Sequence, residues 1–145
     1  MRSGHDPCEI ARRWLVSDEL AAKLSAAMRQ WERETNLTIE VISGYRTDAA
    51  QSALTRAGRP TALSNDLSTH RTCPATGADI RIGGSPLFHV TPLMKARWGR
   101  IAVETGLRWG GGSSIDPTTG IPSDWNHVDL GPRRDAVAEA YRSQL

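Results

Sequence analysis

Apolar residues recur at helical spacing after Ser17: Leu20, Leu24, Ala27, Met28 and Trp31 fall on one stripe. Ser17, followed by Asp18 and Glu19, supplies a cap and an acidic first turn, and the stripe stops at Thr35-Asn36, which predicts a helix between them. The β-branched run over residues 38–42 reads as a strand leading into Ser43-Gly44. A second helix is predicted over residues 48–57, stopped by Gly58 and Pro60, with a polar loop over 59–67. Residues 78–82 alternate, so Ile80 and Ile82 face a core while Asp79 and Arg81 face the other way. Thr91 and Pro92 suit the cap and first position of a helix that Met94, Trp98, Ile101 and Thr105 continue and Gly106 ends. Residues 127–130 alternate as a short strand, and Gly131-Pro132 opens a last helix through Val137, Ala140 and Tyr141. Helices and short strands mix without a regular strand–helix repeat, which predicts an α+β fold.

The chain has 145 residues with no internal repeat or biased linker, so a single domain over 1–145 is expected. Its 18 basic and 16 acidic residues leave a net charge of +2, which does not suggest a nucleic-acid partner. In residues 1–16, Arg2, His5, Asp6, Glu9, Arg12 and Arg13 interrupt the apolar positions. No run there suits a signal peptide or a membrane span, so synthesis in the cytoplasm without membrane insertion is expected. The two cysteines, Cys8 and Cys73, are expected to be free thiols.

Two of the four histidines stand out. His70 follows Ser68-Thr69, and His127 lies within Asp124-Trp125-Asn126-His127-Val128-Asp129. Two histidines and a carboxylate make a common ligand set for catalytic zinc, with a fourth position left to water. Such a site also needs a carboxylate that is not a ligand, as general base and then acid, and Asp124 can supply it. By spacing alone, polar residues at loop ends explain the two histidines equally well. His89, just before a helix cap, reads as structural, and His5 as part of a mobile N-terminal segment.

Four segments add a resemblance. They are Ser43-Gly44-Tyr45-Arg46-Thr47, Ser68-Thr69-His70 with Gly77-Ala78-Asp79-Ile80, Leu107-Arg108-Trp109-Gly110-Gly111, and Asp124-Trp125-Asn126-His127-Val128-Asp129. In this order they resemble the zinc D-Ala-D-Ala carboxypeptidase and L-alanyl-D-glutamate endopeptidase family, phage endolysins included, over residues 42–130. The resemblance implies a short antiparallel sheet packed with helices around a zinc cleft, as in the hedgehog and DD-peptidase folds. It implies zinc held by His70, Asp79 and His127, with Asp124 as catalytic base. Arg46 would reach into the cleft, to hold a substrate carboxylate or the oxyanion of the tetrahedral intermediate. The implied substrate is the peptidoglycan stem peptide, cut by an endopeptidase, with a carboxypeptidase or a non-catalytic zinc-containing wall-binding module as alternatives. The protein would act as a monomer on the cell wall after release, through a holin-made opening if it comes from a phage.

The chain departs from that pattern in three places. Asp79 stands nine positions after His70, two more than is usual in the family. Cys73 stands three positions after His70, where a thiolate would compete with Asp79 for zinc. After Trp109-Gly110-Gly111 comes Gly112-Ser113-Ser114, where the family often has an acidic residue. Trp109 and Trp125 are expected to line the cleft and stack on substrate, with core packing as the competing explanation. Asp129, two residues past His127, is either an acceptor that orients the histidine or a solvated strand residue.

Overall fold

The computed structural model describes residues 5–45 and 74–131. The helix predicted over 48–57, the last helix, Arg46, His70 and Cys73 lie outside the described residues. The described elements are α1 (Pro7–Trp14), α2 (Asp18–Thr35), β1 (Ile39–Ser43), β2 (Gly77–Ile82), α3 (Pro92–Glu104), β3 (Arg108–Trp109) and β4 (His127–Asp129). They make the expected α+β architecture: one antiparallel sheet, in the order β1-β2-β4-β3, with helices packed on it.

Local chemistry sets the helix ends. The Ser17 hydroxyl accepts the Leu20 amide to start α2, and Asn36 ends it in the left-handed conformation. Thr91 caps α3 in the same way through the Met94 amide, with Pro92 in its first turn. The α2 stripe is fully buried, and Leu20, Leu24 and Met28 each contribute roughly 1.5–3 kcal/mol by leaving water. Trp31 meets Trp98 of α3 edge to face, ring centroids 6.4 Å apart, which joins the two helices.

Strand register divides the sheet into two faces. Ile39 pairs with Ile82, Val41 with Ile80, Ala78 with Val128, and Val128 with Trp109, and these side chains share the core face. Glu40 pairs with Arg81, Asp79 with His127, and Gly77 and Arg108 with Asp129, on the opposite face. A one-residue slip would bury the carboxylates and expose the isoleucines, so the apolar pattern holds this register.

From His5 onward the N-terminal segment packs against α2, contrary to the expectation of mobility. Asp6 caps α1, Ile10 is buried, and His5 is buried with Nε2 2.9 Å from Glu32 Oε1 of α2. The Ser25 hydroxyl and the Arg29 guanidinium donate to the His5 carbonyl. At the other end of α1, the Trp14 carbonyl accepts the Tyr45 amide and the Leu15 carbonyl accepts the Ala75 amide. Gly44 is needed there, since a Cβ would stand 2.3 Å from the Trp14 carbonyl oxygen.

Candidate active site

Three chain segments converge on the face of the sheet opposite the apolar core. β2 contributes Asp79, β4 contributes His127 and Asp129, and the turn before β4 contributes Asp124. The Asp124 carbonyl accepts the His127 amide at 3.0 Å, which closes the turn. The Ser113 hydroxyl donates to the Gly110 carbonyl at 2.8 Å and accepts the Asp124 amide at 3.1 Å. The Trp109 indole donates to the Trp125 carbonyl at 2.6 Å. The glycine run is required by contact as well as by turning: at Gly111, φ +60°, a Cβ would stand 2.6 Å from His127 Cδ2.

One ligand atom from each of Asp79, Asp124 and His127 lies within 4.8 Å of the other two, with the histidine buried and both carboxylates half-buried. His127 Nδ1 is 3.1 Å from Asp79 Oδ1, and Nε2 is 2.7 Å from Asp129 Oδ2. Asp129 is fully buried, and its second oxygen is also occupied. Arg108 Nε and the Gly131 amide donate to Oδ1 at 2.7 Å each, and Arg108 Nη2 donates to Oδ2 at 2.8 Å. Asp129 is therefore the orienting acceptor and not a solvated strand residue.

The electrostatics follow from this chain of groups. Burial alone would lower the His127 pKa, but the hydrogen bonds and charges of Asp129 and Asp79 outweigh it and raise it from 6.5 to about 9. Burial works to raise Asp129, while His127 and Arg108 hold it down, from 3.8 to about 2. Without a metal, His127 is an imidazolium at neutral pH, and both ring N–H groups donate to carboxylates.

The donor set suits a divalent cation such as zinc. His127 offers Nδ1 beside two half-buried carboxylates, and a cation there would replace a proton held by the same negative field. The Nε2–H bond to Asp129 fixes the tautomer such a ligand needs. Of the residues expected at the site, Asp79, Asp124 and His127 are together. Trp125, next to Asp124 in the chain, lines a cavity. Trp109 instead lies on the core face, where its ring packs so closely on Gly99 of α3 that a Cβ there would stand 2.4 Å away. Sequence reasoning missed Arg108: its partner Asp129 is 21 residues on, and nothing in a two-residue strand signals that pairing.

No protein-family model matches the chain, and no curated protein matches it. Among solved structures it is similar to the crystal structure of the Serratia marcescens L-Ala D-Glu endopeptidase ChiX, at 20% sequence identity and a TM-score of 0.58, covering 90% of each chain. At that identity the likeness establishes a shared fold.

Proposed function

We propose that the protein is a zinc-dependent peptidase that hydrolyses peptidoglycan stem peptides, as an L-alanyl-D-glutamate endopeptidase. The observation that carries this reading is the Asp79–Asp124–His127 cluster, with Asp129 holding His127 from behind. Support also comes from the fold shared with a protein described as an L-Ala D-Glu endopeptidase. Zinc bound here would polarise the scissile carbonyl and acidify water. In this reading Asp79, His127 and His70 hold the metal. Asp124 accepts a proton from the attacking water and delivers it to the departing amine as the C–N bond breaks. Arg46 holds negative charge on the substrate. Acting on the wall after release from the cytoplasm, by way of a holin in a phage, belongs to the same proposal.

The test combines metal content with the loss of turbidity of isolated cell walls, with and without chelator. About one zinc per chain is expected, with lysis abolished by chelation and restored by zinc. Zinc without lysis would point to a binding module, and release of free D-alanine alone to a carboxypeptidase. Asp124→Ala should keep zinc and lose hydrolysis by roughly 10²–10⁴-fold, the usual worth of a general base. A variant that loses zinc instead would make Asp124 a ligand, a role its position in the cluster equally permits.

A further inference from the structure

Two cavities of about 510 and 300 Å³ are both lined by Lys95 and Trp125. Pro92 and Lys95 of α3, Trp125, and the 114–123 loop closed by the Ile115–Pro122 bridge wall the larger one. Arg81, Asn126 and His89 line the smaller one. Arg81 shares a strand face with Asp79, and Ser123 and Trp125, which line the larger cavity, flank Asp124 in the chain.

Lys95 is the cation common to both cavities. Lys95 Nζ sits 5.2 Å from the centre of the Trp125 ring, and no carboxylate among the described residues pairs with it. The first turn of α3 carries no acid to offset its positive end. Asp116 is the acid that lines the larger cavity, and its Oδ1 is turned to its own loop, accepting the Thr118 and Thr119 amides at 2.7 and 3.3 Å. Arg81 is matched by Glu40. Lys95 therefore stands as a cation on an aromatic base, lining both cavities without a carboxylate partner among the described residues.

We infer that this groove is a subsite for a substrate carboxylate and that Lys95 reads it. The inference rests on the peptidase reading and names the chemistry that reading leaves open. In a stem peptide the D-glutamyl residue keeps one carboxyl group outside its two peptide links, present either as the acid or as the amide. Lys95 would form a charge-assisted hydrogen bond with the acid alone.

The experiment uses two uncleavable stem-peptide analogues that differ only in that group, titrated calorimetrically into wild-type protein, Lys95→Met and Lys95→Arg. Wild type should bind the acid about tenfold more tightly than the amide, as expected for one hydrogen bond to a charged group. Lys95→Met should lose that preference by weakening only the acid, and Lys95→Arg should keep most of it. Lys95→Gln replaces Lys95→Met if the latter does not fold. Equal binding of acid and amide by wild type, or a preference that survives removal of the charge, overturns the subsite. Cleavable peptides separate the two readings: a retained preference without hydrolysis sinks the peptidase reading alone, and hydrolysis without preference sinks the subsite alone.

Discussion

At the scale of single residues, His127 is held from both sides, and its two partners do different work. Asp79 meets Nδ1, the nitrogen the proposal gives to the metal, while Asp129 secures the far nitrogen and is itself clamped by Arg108. An acceptor of this kind raises the basicity of a ligating histidine and fixes its ring. Asp129→Asn keeps the shape but loses the charge, so zinc affinity, measured by competition with a chromogenic chelator, should fall roughly 10–100-fold. Unchanged affinity would mean that Gly111 and the strand backbone alone set the ring. Much of this was legible in the sequence. The alternation of Asp79 with Ile80, and of His127 with Val128, places each polar group opposite an apolar one. The two possible roles of Asp129 were not separable there, because the partner that decides between them comes from another strand.

At the scale of elements, α2 and α3 announce themselves through their caps and apolar stripes, and the structure places both where the pattern does. α1 does not, because Ile10 is its one fully buried hydrophobic residue and it is held by contacts distant in sequence, such as His5 with Glu32. β3 is two residues long and too short to show a period. Its Trp109 nevertheless links helix packing to the site: the ring lies against Gly99, and its N–H holds the carbonyl of Trp125. Gly99→Ala would drive a methyl into that ring. It should cost about 1–3 kcal/mol by overpacking, read from urea unfolding. It should also weaken zinc binding, although Gly99 touches none of the Asp79–Asp124–His127 cluster. Loss of stability with unchanged affinity would show that the turn carrying Asp124 is positioned independently of Trp109.

For the whole molecule, the sheet is a plate with its core on one face and its charges on the other, so the fold and the site can be stressed separately. The apolar face needs no metal, and the chelated protein should therefore unfold cooperatively, with a stability set partly by the charged face. The sign follows from the shifts at His127 and Asp129. His127 is raised from 6.5 to about 9, so its contribution is complete below pH 6.5 and is lost as pH rises through 9. Asp129 is lowered from 3.8 to about 2, so its contribution is complete above pH 3.8 and is lost as pH falls through 2. In chelator, the urea midpoint should fall between pH 6.5 and 9, and His127→Asn should flatten that fall. Zinc should reverse the dependence, because bound at the cluster it would compete with the proton for Nδ1 and bind more tightly as pH rises. At a free concentration of a hundred times its dissociation constant it should add about 2.7 kcal/mol. A chelated protein equally stable at both pH values would show that His127 is not held as an imidazolium between the two aspartates. A protein that zinc fails to stabilise at alkaline pH would remove the metal from the cluster.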